Sequence, residues 1–267
     1  MDILETIVAN KRREVTLQKQ AIPLEQLLNM GAKFLNGNTF SMCSALEKSP
    51  TGIIAEFKRR SPSKGWLFPD AKVENVVPEY EKGGAAACSI LTDSEFFGGS
   101  FADFRQARAL VKMPLLRKDF MIDEYQVYQA RTMGADAILL IAATLTKAEC
   151  LQFAKTAKQL EMNVLLEIHN ERELSYLNEH IDMLGVNNRH LGTFHTDVEN
   201  SFRLIERIKA EAGDDILLIS ESGISDYKDI IRLRDVGFRG FLMGEIFMKT
   251  NQPGVTLSNL IKQLEIR

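Results

Sequence analysis

Glu56 and Lys58 stand two residues apart at the end of the apolar run that opens 53-IIAEFKRRSPSKG-65, where a core strand should still be burying its side chains. A carboxylate and an ammonium are costly to bury unless they have partners or a use. The same residue types close other apolar runs further along: Lys118 in 114-PLLRKDF-120, Glu167 in 163-NVLLEIH-169 and Glu221 with Ser222 in 216-ILLISES-222. Asn187 and Arg189 follow in 185-GVNNRHL-191. Amines and carboxylates gathered in one place suit general acid–base chemistry, in which one group donates a proton and another removes one. A second signal is anionic. The turns Ser61-Pro62-Ser63-Lys64-Gly65, Ser222-Gly223-Ile224 and Met243-Gly244-Glu245 are small or glycine-containing, the kind of turn whose backbone N–H groups hold a phosphate. Glycine at one such turn is mostly backbone geometry. Three together point to a phosphorylated ligand.

These residues meet only if a particular scaffold brings them together. Short β-branched or leucine-rich runs alternate with longer amphipathic stretches, and the spacing predicts strands near 52–58, 86–93, 114–120, 137–143, 163–169, 183–188, 216–222 and 240–246. Helical patterns lie between them, as in 123–134, 146–161 and 226–237. Asp123, Thr146 and Asp226 suit their N-caps, and Gly134 and Gly237 suit C-terminal stops. Eight strands buried on both faces, each followed by a crossover, predict parallel pairing and an α/β fold of the closed (β/α)8 TIM barrel class. An open doubly wound sheet would need a glycine-rich turn after its first strand, and no G-x-G-x-x-G occurs. Residues 1–47 read as helical, with Ile3, Leu4, Ile7 and Val8 at helical spacing and an interruption at Pro23. The expected organisation is one barrel domain over 1–267, with 1–47 as a helical extension that caps it as lid or plug.

Active sites of such barrels form where strands end. Alternation along the strands places Ile54, Glu56 and Lys58 on one face, Leu116, Lys118 and Phe120 on another, and Leu165, Glu167 and His169 on a third. Taken singly, each charge reads as a solvated strand end or a structural ion pair. Their convergence on one pore is what makes a site. The basic stretch Lys58, Arg59, Arg60 and Lys64 suggests a small anion site rather than nucleic acid, because the net charge is −3 and no aromatic residues interleave. His169, His180, His190 and His195 lack metal-ligand spacing and read mainly as surface or loop residues, so no metal is expected. Phe96 and Phe97 suit either the core or an aromatic wall at the mouth. Cys43, Cys88 and Cys150 have no C-x-x-C spacing and read as reduced thiols. The apolar run 137–145 is too short to span a bilayer, and residues 1–15 lack a signal-peptide stretch. The residues alone thus predict a cytoplasmic barrel enzyme acting on a phosphate ester, with no cofactor, nucleic-acid partner or membrane partner.

The runs 54-IAEFKRRSPSKG-65, 116-LRKDFMIDEYQVYQARTMGADAILLIAA-143, 164-VLLEIHNERE-173, 185-GVNNRHL-191, 219-ISESGI-224 and 240-GFLMGE-245 resemble the indole-3-glycerol phosphate synthase family of tryptophan biosynthesis. Its E-x-K-x-x-S-P-S and L-x-K-D-F signatures are specific, and the likeness runs from about residue 3 to the C-terminus. The resemblance implies conversion of 1-(2-carboxyphenylamino)-1-deoxyribulose 5-phosphate to indole-3-glycerol phosphate, with loss of CO2 and water and no cofactor. It implies that Lys118 is the acid of ring closure, with Lys58 holding the substrate carboxylate and sharing acid duty. It makes Glu167 the base of dehydration and Glu56 its acid partner, with Asn187, Arg189 and Glu221 as orienting groups. Phosphate would fall to Ser61, Ser222, Gly223, Gly244 and the backbone of Glu245. Phe97, Phe120, Leu139 and Leu191 would wall the anthranilate ring. A lysine acid is helped by a desolvated, cation-rich pocket that lowers its pKa, and a glutamate base by the opposite shift. The segment 187-NNRHLGTFHTD-197 departs from the family pattern at His190, Gly192 and His195. The expected assembly is a monomer or a weak homodimer.

Overall fold

The computed structural model describes residues 3–190, 195–213 and 216–265. Eight strands form a closed parallel barrel: β1 (Ile53–Phe57), β2 (Ala87–Leu91), β3 (Leu115–Lys118), β4 (Ala137–Ile141), β5 (Asn163–Ile168), β6 (Met183–Asn187), β7 (Leu217–Glu221) and β8 (Gly240–Met243). Each strand pairs with its neighbours in sequence, and β8 closes onto β1. Alternate residues divide between two cores, as the period-2 pattern demands. Ile54, Leu116, Leu139, Leu165, Met183, Ile219 and Leu242 fill the barrel interior. Ile53, Ala55, Phe57, Leu115, Ile138 and Leu166 face the surrounding helices. Burying a side chain of this size is worth about 1.5–3 kcal/mol, so a one-residue slip of any strand would exchange its two faces at heavy cost.

Register sets the mouth. Glu56 lies opposite Ser89, Lys118 opposite Leu91, Glu167 opposite both Ile141 and Gly185, and Glu221 opposite Asn187. The polar strand ends therefore form one tier around the pore rather than a scatter along it.

Helical stretches cross over between the strands. Asp123 and Thr146 cap the helices Glu124–Thr132 and Lys147–Gln159 with complete capping boxes, and Asp226 caps the helix Tyr227–Asp235. Gly134 and Gly237 hold the left-handed backbone expected after a helix end. The β5–β6 crossover is the exception, a 3-10 segment over Glu171–Tyr176.

Several strands end earlier than the apolar runs suggest. The run 114–120 leaves the ladder at Lys118, 216–222 at Glu221, and 240–246 at Met243, after which a short helix spans Glu245–Met248. Apolar side chains continue into the loops because the mouth too is packed. The stretch expected as a plain loop after β1 is a small antiparallel hairpin, Arg60–Ser61 against Gly65–Trp66.

The N-terminal segment reaches both ends of the barrel. α1 (Ile3–Ala21) brings Ile3, Leu4 and Ile7 to the mouth. Val15 of α1 and Leu27 of α2 (Leu24–Met30) then pack on Tyr125 of the helix Glu124–Thr132. Past α3 (Ala32–Leu35), Met42 and Leu46 of α4 (Met42–Lys48) join the interior cluster from the opposite end. The N-terminal helices thus pack at both ends of the barrel.

Candidate active site

The cavity at the C-terminal ends of the strands is lined by Glu56, Lys58, Lys118, Glu167, Asn187, Arg189 and Glu221, which the sequence singled out, together with residues it did not. Lys118, at the last position of β3, places Nζ 3.0 Å from Glu167 Oε2 and 3.3 Å from Glu221 Oε2. Asn187 donates from Nδ2 to Glu167 Oε1 at 3.0 Å, and its own Oδ1 accepts the Arg189 N–H. Across the pore Glu56 pairs with Lys58.

These contacts set the charges. Burial opposes ionisation of Glu56, but the Lys58 and Lys118 ammoniums hold its carboxyl below the usual range. Burial likewise opposes ionisation of Glu167, and Lys118, His169 and the Asn187 hydrogen bond more than reverse it. Glu221 goes the other way: burial, with Glu167 close by, raises its carboxyl to about 7 despite Lys118. Two carboxylates sharing one ammonium are thus pushed apart, one held ionised and the other inclined to keep a proton. Lys118 corrects an expectation. Burial alone would lower its pKa, but it faces Glu167, Glu221 and Glu56, so its pKa is raised. The pocket around it is carboxylate-rich, not cation-rich.

The Glu221 shift has a signed consequence. A carboxyl whose folded pKa of about 7 exceeds its ordinary 4.5 contributes stability that is complete below pH 4.5 and lost as pH rises through 7. Glu221→Gln removes that loss. Its Tm should gain on the parent's as pH rises from about 5 to about 8. A calorimetric series in which the gap stays constant would count against this assignment.

Two glycines make room for the carboxylates. A Cβ on Gly185 would lie 2.3 Å from Glu221 Oε1, and one on Gly244 would lie 2.6 Å from Glu56 Oε1. Contacts that short are impossible, so only glycine leaves those carboxylates where they are.

The other rim gathers small residues and one cation. Arg189 donates from Nη1 to Ser63 Oγ at 2.6 Å, and its Nη2 lies 3.5 Å from Glu245 Oε2. The Glu245 carboxylate therefore turns to a cation rather than standing unpaired at the rim. Ser61, Pro62 and Ser63 line the cavity, as do Ser222, Gly223 and Gly244. Ser222 and Gly223 follow β7 with φ of 65° and 77°, two left-handed residues in succession. That conformation is uncommon for a serine and tends to be kept at functional turns. Buried Asn188 supports the turn, donating to Ser222 O and Ser220 Oγ at 3.0 Å each.

Of the basic stretch after β1, only Lys58 faces the cavity. Arg59 is taken up by Asp103, Ala71 O and Gly98 O, Arg60 by Glu95 O and the Trp66 ring, and Lys64 is exposed. The basic rim expected there is a serine rim, with its cation, Arg189, supplied from across the mouth.

Phe97 and Phe120 form the aromatic wall, their ring centroids 6.0 Å apart and tilted by 40°, with Leu139 below. Phe96 is not among the lining residues. Leu191 and Gly192 lie outside the described residues.

From sequence His169 reads as a member of its strand face and, with the other histidines, mainly as a surface or loop residue. Its side chain is largely but not fully covered, 3.3 Å from Glu167 and 3.6 Å from Glu173. Burial disfavours its cation, but the two glutamates raise its pKa. Its place on the inward face with Leu165 and Glu167 was the signal available.

The family model described as indole-3-glycerol phosphate synthase matches residues 4–260. The chain belongs to the indole-3-glycerol phosphate synthase family. An indole-3-glycerol phosphate synthase of Bacteroides thetaiotaomicron is 58% identical over 264 residues, 99% of each chain. One of Polaromonas naphthalenivorans is 41% identical, over 97% of this chain and 98% of its own. Among solved structures, the tryptophan synthase A-subunit of Pyrococcus furiosus superposes with a TM-score of 0.60 at 13% identity, covering 82% of this chain and 99% of that one. Thiamine phosphate pyrophosphorylase of the same organism gives 0.58 at 16%, covering 82% and 97%. At those identities the likeness is one of fold, the closed parallel barrel with its surrounding helices. Family membership makes the chain a carboxy-lyase of tryptophan biosynthesis, indole-3-glycerol-phosphate synthase in activity, acting on a phosphorylated small molecule by ring closure, decarboxylation and dehydration. No helix among the described residues is long and apolar enough to cross a membrane.

Proposed function

We propose a division of labour within this reaction, carried by one observation: Lys118 Nζ sits within 3.3 Å of both Glu167 and Glu221. The phosphate lies at the rim of Ser61, Ser222, Gly223, Gly244 and the Glu245 backbone, with Arg189 as its cation. The anthranilate ring lies against Phe97, Phe120 and Leu139, and the substrate carboxylate turns toward Lys58.

As the ring carbon attacks the ketone, Lys118 gives its proton to the ketone oxygen, which becomes a hydroxyl. The alkoxide forming there is a stronger base than an amine, so even an ammonium held by carboxylates can donate to it. CO2 then leaves and its electron pair restores the aromatic ring. Glu167, held ionised, takes a proton from the methylene carbon beside the ring nitrogen as the hydroxyl departs. The neutral Lys118 amine, 3.0 Å away, recovers that proton from Glu167. The proton on the departing hydroxyl comes from the Lys58–Glu56 pair. Glu56 was expected to be the acid itself, but it is held ionised, so Lys58 carries the proton and Glu56 holds Lys58 in place. Asn187 and Glu221 keep Glu167 and Lys118 aligned.

The chain is proposed to work as one barrel domain capped by residues 1–47, as a monomer or weak homodimer in the cytoplasm. The free cysteines Cys43, Cys88 and Cys150 suit a reducing compartment.

Incubation with 1-(2-carboxyphenylamino)-1-deoxyribulose 5-phosphate should produce indole fluorescence at an undiminished rate in a chelator. The motive is that no three His, Cys, Asp or Glu among the described residues are placed to hold a metal ion. Full dependence on an added divalent ion would contradict the scheme.

A further inference from the structure

Lys11 lies on the buried stripe of α1, four residues from Ile7 and four from Val15, with no exposed surface. Its ammonium is 3.0 Å from Asp93 Oδ2, 2.9 Å from Asp119 Oδ1 and 2.8 Å from Glu14 Oε2. Asp93 follows β2 and Asp119 follows β3. Each aspartate also fixes backbone. Asp93 Oδ1 accepts the Phe96 N–H at 2.8 Å, and its carbonyl accepts the Gly99 N–H at 2.8 Å, which folds the loop carrying Phe97. Asp119 Oδ1 accepts the Phe120 N–H at 2.8 Å, while Oδ2 takes hydrogen bonds from Thr92 and Arg117 at 2.6 and 3.0 Å. Phe97 and Phe120 are the two rings of the aromatic wall. One ammonium is therefore the shared counterion of the two carboxylates that place them.

Fastening α1 to the barrel does not need a charge. Ile7 and Val15 already bury apolar surface, Val15 against Tyr125, and Tyr125 donates to Ile22 O. A well-packed apolar side chain would hold the helix without desolvating an ammonium. What an ion at this place adds is direction: two carboxylates held at once, at fixed separation.

We propose that Lys11 is a positioning residue for the reaction, setting the two rings that grip the anthranilate moiety and tying that grip to the seating of α1 over the mouth. It does not line the cavity and takes no part in the chemistry. The proposal rests on the reading that Phe97 and Phe120 receive the substrate's ring.

The test compares two ligands on the full chain: indole-3-glycerol phosphate, which carries a ring, and glycerol 3-phosphate, which does not. In Lys11→Met the product should bind about tenfold or more weakly and glycerol 3-phosphate within about twofold of the parent. The substrate KM should rise more than kcat falls. A purely structural role would lower the folded, active fraction, reducing apparent kcat while leaving KM and both affinities unchanged. Should Lys11→Met fail to fold, Lys11→Met with Asp93→Asn serves instead. Asparagine keeps an acceptor for the Phe96 N–H and removes the uncompensated charge, and Asp119 keeps Arg117. The same ring-selective loss is expected there. Product affinity within about twofold of the parent, or equal losses for both ligands, would overturn the proposal. A parent that binds product no better than glycerol 3-phosphate would overturn the ring-site reading, and the proposal with it.

Discussion

Lys118→Ala is expected to lower kcat at least about a hundredfold while substrate still binds, because it removes the acid of ring closure and leaves the ring and phosphate contacts in place. A second effect adds to the first. Without the ammonium, Glu167 and Glu221 face each other in a buried site with no counterion between them, and one must take up a proton. If Glu167 takes it, the base of the later step is lost as well. Rates at saturating substrate, read by indole fluorescence beside a binding isotherm, separate the two quantities. Near-normal turnover with intact binding would refute the role assigned to Lys118.

Glu167→Gln is expected to reduce indole formation by about 10²–10⁴, the usual contribution of a positioned base. The substitution keeps shape and one hydrogen-bond acceptor, so the Asn187 contact at 3.0 Å can persist. It removes the charge opposite Lys118, which then relies on Glu221 and Glu56. With Glu167 neutral, Glu221 no longer sits beside a second carboxylate and ionises more readily. The variant therefore separates two steps: Lys118 keeps an anionic partner and its proton for ring closure, while no base remains for dehydration.

Alternation on β1 made Glu56 and Lys58 legible as inward residues, because both faces of a barrel strand are buried and a charge on the inner one has only the pore to enter. The same reasoning placed Lys118 and Glu167. It left the strand ends open, since a strand stops where its neighbours' ladders stop, and no single run shows that. The misread basic stretch has a related cause. Arg59 and Arg60 look like anion ligands in isolation, and only folding brings Asp103 and the carbonyls of Ala71, Gly98 and Glu95 to them. The electrostatics of Lys118 failed for the same reason, because the number of carboxylates around it depends on how β1, β5 and β7 register against β3. Lys11 opens a stretch that reads from sequence as the polar continuation of the first helix, and nothing within α1 names Asp93 and Asp119 as its partners. Gly185 could not be found at all: its role is the volume it leaves for Glu221, a residue on the next strand.

The central claim is that Lys118 and Glu167 serve different steps from one ion pair. Its most direct test follows released CO2 and indole fluorescence together in a single turnover of Glu167→Gln. The account predicts CO2 without matching fluorescence, as a ring-closed, decarboxylated but still hydroxylated intermediate accumulates, whereas Lys118→Ala releases neither. Parallel loss of CO2 and indole in Glu167→Gln would place Glu167 at ring closure and contradict the division of roles.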